Sequence, residues 1–198
     1  MVHNMTERIH KIKKELKKEL DKNRYQHTIG VMYTAASLAM RYEYDIEQAM
    51  LAGLLHDCAK CIPDKEKLTL CQKNTIAVRT IEAENPFLLH AKLGAHLAKE
   101  KYHISDAEIL HAIEVHTTGA PAMSLLDKII FVSDYIEPAR DKAPNLNLIR
   151  KTAFCDLDSA VLKILHDTLH FLNKKRGSID SKSQETYEYY KKLLHDNT

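Results

Sequence analysis

The doublet His56-Asp57 closes a stretch, Ala49-Met50-Leu51-Ala52-Gly53-Leu54-Leu55, that is apolar on nearly every side. An aspartate is rarely buried unless it is paired or binds a metal. This stretch is too apolar to lie exposed, so the doublet is expected to face a buried cleft. Neighbours on a helix point about 100° apart. The pair can therefore share one ion only where the helix ends and the backbone turns. Other residues of suitable type lie at helix-compatible positions. His27 lies early in a helical stretch, and His90 follows Phe87-Leu88-Leu89. His116 closes Ile113-Glu114-Val115, and Asp134 follows Ile129-Ile130-Phe131-Val132 by two residues. Imidazole nitrogens and carboxylate oxygens without a thiolate suit Fe, Mn, Co or Zn. Two histidines and two aspartates leave coordination positions for water and substrate, as a catalytic site needs. Singly, each residue is weak evidence, because a histidine beside an apolar run is more often a hydrogen-bonded core residue than a ligand.

The chain carries its own controls. His166-Asp167 is a second doublet, but the apolar residues around it are periodic, so both members can sit on a polar face. His166 and His170 have the i, i+4 spacing of helical zinc ligands, with no further pattern beside them. Cys58-Ala59-Lys60-Cys61 is a C-x-x-C with neither a second such pair nor a βαβ context, and reads as incidental thiols. His3, His10, His96, His103, His111 and His195 read as surface or packing residues.

These residues must be positioned by helices. Met5, Ile9, Ile12, Leu16 and Leu20 make one apolar stripe over 4–23, with lysines on the other faces. Further helices are expected over 25–41, over 45–57 with Asp45 as N-cap, from Pro63-Asp64, and over 87–100. Ser105-Asp106-Ala107-Glu108 reads as a capping box opening 105–116. Ser124 opens a helix to about Tyr135. Asp156 or Asp158 starts a long helix with Val161, Leu162, Leu165, Leu169 and Leu172 inward, ended by Gly177, and a last helix covers 182–195. No strand alternation, repeat or linker is visible. The expected fold is all-α, a single domain of about nine or ten helices.

Composition narrows the class. The chain has 198 residues, 44% hydrophobic and 28% charged, with 29 Lys+Arg against 27 Asp+Glu. That balance argues against a general nucleic-acid coat protein. Five Gly and five Pro leave little material for a turn-rich β fold, and four Cys are too few for a disulfide scaffold. No run approaches the roughly 18 apolar residues of a membrane span, and no secretory signal is visible. A cytoplasmic protein is expected. The apolar stripe of 4–23 needs a covering surface, within the chain or on a second copy as a homodimer. Its basic face also fits a membrane or RNA surface, although a solvated face is the simpler reading.

The order His27, His56-Asp57, Asp134 resembles the H…HD…D signature of the HD-domain metal-dependent phosphohydrolases. The words Leu54-Leu55-His56-Asp57-Cys58-Ala59-Lys60 with Pro63, and Val132-Ser133-Asp134-Tyr135-Ile136-Glu137-Pro138-Ala139-Arg140, are similar to the YqeK-type bacterial subfamily. The resemblance runs from about Tyr25 to Tyr187. It implies an HD-domain helical bundle in which 1–24 is a basic helix, 25–140 the metal-binding core, and 141–198 the part completing a nucleotide site. It implies iron held by His27, His56, Asp57 and Asp134, with a second metal left open. It implies that His90, His116 and Thr117 face substrate phosphates, with charge from Lys60 and Arg140. Gly177, Ser178, Ile179 and Asp180 stand where the family closes over the nucleotide, although this stretch departs from the family's Gly-Gln-Pro-Ile-like pattern and is one residue shorter.

The implied activity is symmetrical hydrolysis of diadenosine tetraphosphate to two ADP, with metal-bound hydroxide attacking an inner phosphate. A bound cation lowers the pKa of its water towards ~7 and neutralises phosphate oxygens. An arginine can grip phosphate through two N–H bonds, whereas a lysine acts as a point charge. His90 and His116 could bind phosphate, ligate a second metal or protonate the leaving diphosphate. Alternatives are another HD-type nucleotide phosphohydrolase, such as a nucleotidase or guanosine tetraphosphate hydrolase, and a non-enzymatic RNA- or ribosome-associated module using 4–23.

Overall fold

The computed structural model describes residues 2–175 and 178–196, with side chains from residue 7 onward. Gly177 and the side chains of His3 and Met5 lie outside the described residues. Among the described residues the chain is all helical: α1 (Val2–Glu19), α2 (Lys22–Arg41), α3 (Ile46–Leu55), α4 (Asp64–Lys73), α5 (Thr80–Glu84), α6 (His90–Glu100), α7 (Ala107–Val115), α8 (Leu125–Ile136), α9 (Leu146–Ala153), α10 (Leu157–Lys174) and α11 (Ser181–Asp196). A single 3₁₀ turn, Pro86–Leu89, leads into α6. The expected all-α single domain is what the chain forms.

The centre of the bundle is α3, whose Ala49, Leu51, Ala52, Leu54 and Leu55 are all buried. A helix apolar on every side can satisfy itself only if neighbours surround it, and α2, α7 and α8 do so. Asp45 caps α3, its side chain accepting from the Gln48 N–H at 2.8 Å. Ser124 and Asp127 form a reciprocal capping box at the start of α8.

The apolar stripe of α1 is covered within the chain. Ile12, Leu16 and Leu20 are buried in the main core, and Arg8 donates to the carbonyl oxygens of Tyr102 and His103 at 3.2 and 2.6 Å. The stripe therefore gives no reason for a dimer, and the lysines of α1 are its solvated face.

Four local expectations are corrected. The basic helix does not run to residue 23: α1 ends at Glu19, and Asp21 caps α2 by accepting from the Arg24 N–H at 2.9 Å. The cap of α7 is Asp106, whose carboxylate accepts from the Glu108 and Ile109 N–H groups, so Ser105 stands outside the helix. Leu162 and Leu172 are only partly buried, on the shoulder of the α10 stripe. Helix α9 follows Pro138 and Pro144, in the stretch between Tyr135 and Asp156 for which no helix is expected. It opens at Asn145 in the left-handed region (φ 55°) and buries Leu146, Ile149 and Ala153.

Candidate metal centre

Three of the four predicted histidines are set by one local device. Each sits at a helix end and donates Nδ1–H to the carbonyl three residues back. His56 bonds Gly53 at 2.7 Å, His90 bonds Phe87 at 2.6 Å and His116 bonds Ile113 at 2.7 Å. A carbonyl can only accept, so the bond fixes Nδ1 as the donor and turns Nε2 outward. All three rings are essentially buried. Their Nε2 atoms meet in one cleft because α3 and α7 end, and α6 begins, at the same place.

His27, on α2, is oriented differently. Its Nδ1 lies 3.1 Å from Oε1 of buried Glu137, and its Nε2 lies 3.0 Å from Oδ1 of Asp134. Burial pulls the His27 pKa down, but the Asp134 and Glu137 carboxylates more than reverse this and raise it. The rings of His27, His56, His116 and His90 follow one another edge-on, with centroids 5.4, 5.0 and 5.1 Å apart.

Asp57 lies beneath them. Its Oδ2 accepts from Arg24 Nη1 at 2.6 Å and lies 3.4 Å from His56 Nε2. Its Oδ1 lies 3.3, 3.5 and 3.7 Å from His90 Nε2, His116 Nε2 and Lys60 Nζ. Burial opposes ionisation of Asp57, but the imidazoles facing it, His56 foremost and then His116 and His90, hold the carboxyl well below the usual range. Asp134 is lowered in the same way by His27, His56 and Arg140. His90 is pushed down to about 4 by burial and by the charge of Lys60, partly offset by Asp57. At neutral pH His90 is thus an uncharged acceptor, and Lys60 Nζ donates to its Nε2 at 3.0 Å.

A divalent cation fits this donor set. Nε2 of His27, Nε2 of His56 and Oδ1 of Asp57 are buried polar atoms with no hydrogen-bond partner, and such groups are rare without a reason. Ligand atoms of His27, His56 and Asp134 lie within 4.8 Å of one another, as do those of His56, Asp57 and His116. The two triads share His56. Each imidazole also donates or offers Nδ1 to a carbonyl or carboxylate, the arrangement that orients metal-ligating histidines.

The remaining predicted residues separate. Thr117 joins the centre, with Oγ1 3.2 Å from Nε2 of both His90 and His116. Arg140 grips Asp134 by its carboxylate and its carbonyl, at 2.8 Å each. Ser178 is exposed and Ile179 half-buried, whereas Asp180 is buried and paired with Arg79. The decoy doublet stays outside: the His166 side chain is 64% exposed and Asp167 accepts from Asn145. In the C-x-x-C, burial pushes the Cys58 thiol up to about 12, and Cys61 bonds Asp21.

Two residues escaped the sequence reading. Arg24 stands among the polar residues that open α2, and Glu137 directly precedes Pro138. Glu137 is nonetheless buried, and Gly30 makes room for it: a Cβ there would lie 2.5 Å from Glu137 Oε2.

Residues 24–139 match the HD domain family, more than half the chain and every residue of the H, HD and D set. The chain belongs to the HD-domain family. A divalent metal at the His/Asp cluster is what membership implies. The chain is 42% identical, over 87% of its length and 91% of the relative's, to the symmetrical bis(5'-nucleosyl)-tetraphosphatase of Halalkalibacterium halodurans. It is 38% identical to the Bacillus subtilis protein of the same name, over 88% and 92% of the two chains. A crystal structure of a predicted HD superfamily hydrolase involved in NAD metabolism from Clostridium acetobutylicum superposes with a TM-score of 0.90 at 40% identity. That match covers 93% of this chain and 97% of the other. This HD-domain chain thus shares the fold over nearly its whole length.

Proposed function

We propose that this HD-domain chain hydrolyses dinucleoside tetraphosphates symmetrically: diadenosine tetraphosphate and one water give two ADP, and the guanosine analogue gives two GDP. The observation that carries this reading is the convergence of four imidazoles and two carboxylates, bordered by Lys60 and Arg140, in a chain similar to symmetrical tetraphosphatases over about nine-tenths of its length. A metal held by His27, His56, Asp57 and Asp134 would lower the pKa of its water and offset phosphate charge. Imidazole and carboxylate donors without thiolate fit iron, which the family resemblance favours over Mn, Co or Zn.

The chain's own groups do the rest. Lys60 and Arg140 face the polyanion as positive charges, Arg140 through Nη1, since its Nε and Nη2 are engaged in holding Asp134 in place. Uncharged His90 holds the Lys60 ammonium where it offsets both Asp57 and an incoming phosphate. The Thr117 hydroxyl lies between His90 and His116 and has one proton to give, to either Nε2 or, once substrate is bound, to a phosphate oxygen. Glu137 and Arg24 orient His27 and Asp57. The segment 141–198 would complete the nucleotide site through residues 178–180. We place the protein in the cytoplasm: no helix among the described residues is long and apolar enough to cross a membrane, and the four cysteines are free thiols, as in a reducing compartment. No nucleic-acid partner is expected.

The test is product analysis of the metal-loaded protein with diadenosine tetraphosphate. ADP as sole product is expected. AMP with ATP, release of phosphate or pyrophosphate, or no hydrolysis would overturn the reading, and activity on guanosine tetraphosphate alone would favour a different HD phosphohydrolase.

A further inference from the structure

The segment before α11 is tied to a part of the chain 101 residues away. Arg79, which precedes α5, donates both terminal nitrogens to Asp180: Nη1 to Oδ1 at 2.7 Å and Nη2 to Oδ2 at 2.5 Å. This paired fork is the firmest hold a guanidinium has on a carboxylate. Glu82 steadies Arg79 in turn, accepting from Nη2 and from the Arg79 backbone N–H at 2.8 Å each. Lys92 Nζ balances Glu82 at 2.8 Å. Asp180 Oδ1 also caps α11 by accepting from the Lys182 N–H at 3.0 Å.

Helix α11 also packs on the turn that follows His116. Gly119 has φ +67°, and a Cβ there would lie 2.8 Å from Thr186 Cγ2 of α11. Two residues earlier, Thr117 touches His90 and His116. Arg79, Asp180, Thr117 and Thr118 line one small cavity. The start of α11 is therefore held against the same turn that carries His116.

We propose that Arg79 is a positioning residue whose fork on Asp180 latches residues 178–180 against the Thr117 turn and so sets the affinity of the site for its nucleotide. The inference rests on the function read above, and Arg79 touches neither the reacting atoms nor the metal ligands. The sign of the Asp180 charge makes it testable. A carboxylate near a polyphosphate repels it, so on direct electrostatics Asp180→Asn tightens nucleotide binding. If the carboxylate instead holds Arg79, the same substitution weakens binding.

The experiment is steady-state kinetics on the metal-loaded full chain with diadenosine tetraphosphate, with ADP as product inhibitor. Arg79→Gln is expected to raise KM and the ADP inhibition constant roughly tenfold with kcat within about twofold. Arg79→Lys keeps the charge but loses the fork, and should follow the glutamine variant. Asp180→Asn should shift KM in the same direction, and the double variant should be no worse than either single one. Unchanged KM and ADP inhibition with only a lowered Tm would overturn the latch. So would tighter binding by Asp180→Asn, or effects that simply add. A wild type that fails to cleave the dinucleotide would overturn the function reading instead; ADP affinity of the same variants by calorimetry would then decide the latch.

Discussion

The chain contains the dipeptide His-Asp twice, and the two copies behave in opposite ways. His56-Asp57 stands where α3 stops, with the ring pinned to Gly53 and the carboxylate facing Arg24, Lys60 and two further imidazoles. His166-Asp167 lies within α10, with an exposed ring and a carboxylate satisfied by Asn145. The rings of His166 and His170 stack parallel, 6.4 Å apart, and belong to neither metal-competent cluster. What separates the copies is convergence. Inside a helix, the next residue points away and no second element arrives to share an ion. At a helix end, the backbone turns and side chains from α2, α6, α7 and α8 reach the same cleft.

The largest effect that could break this contrast comes from removing each doublet. Asp57→Ala is expected to lower kcat by roughly a thousandfold or more and to abolish metal retention. Asp167→Ala should leave both within about twofold. Metal analysis beside a hydrolysis assay checks the pair, and equal losses would erase the distinction.

The next effect addresses what supports the doublet. Glu137→Gln removes the charge that steadies His27, and losing such an outer partner costs about 10- to 100-fold in metal affinity. The measurement is metal competition against a chromophoric chelator. Gly30→Ala pushes a methyl into the Glu137 carboxylate. It should weaken metal binding in the same direction and cost about 1–3 kcal/mol of stability by overpacking, read from denaturant unfolding. No substitution near His166 should reproduce either change.

The smallest effect concerns stability in acid. Burial opposes ionisation of Asp180 and Glu82, yet Arg79 and its neighbours hold both carboxyls below their ordinary values of 3.8 and 4.5. Groups lowered by folding contribute stability that is complete above the unfolded values and is lost as pH falls through the folded ones. Thermal unfolding should therefore fall more steeply between pH ~5 and ~3 in the wild type than in Arg79→Gln. Identical slopes would mean the cluster contributes nothing.

The sequence exposes one side of this contrast better than the other. His56, Asp57 and Asp134 are legible because each polar group stands at the edge of an apolar run, where burial without a partner is costly, whereas His27, between Gln26 and Thr28, is legible only from its place in the H…HD…D order. The periodic setting of His166-Asp167 marks it as surface for the same reason. Arg24 and Glu137 are not legible, since each lies among polar residues or beside a proline and acquires its role only when α2 and α8 pack. Asp180 is a further case: the family resemblance points it at the nucleotide, but a guanidinium 101 residues distant claims it. Helix α9 is hidden by the prolines before it and by the left-handed Asn145 that starts it. Local pattern thus reports which groups must be buried, and only the assembled helices report which of them meet.

The central claim is that side chains from α2, α3 and α8 hold one cation between them. Anomalous scattering from crystals of the purified protein, collected above and below the absorption edge of the metal found by elemental analysis, tests it most directly. The account predicts a peak within ligand distance of His27, His56, Asp57 and Asp134. A cleft without a peak in metal-replete crystals, or a peak at His166 and His170 instead, would contradict it.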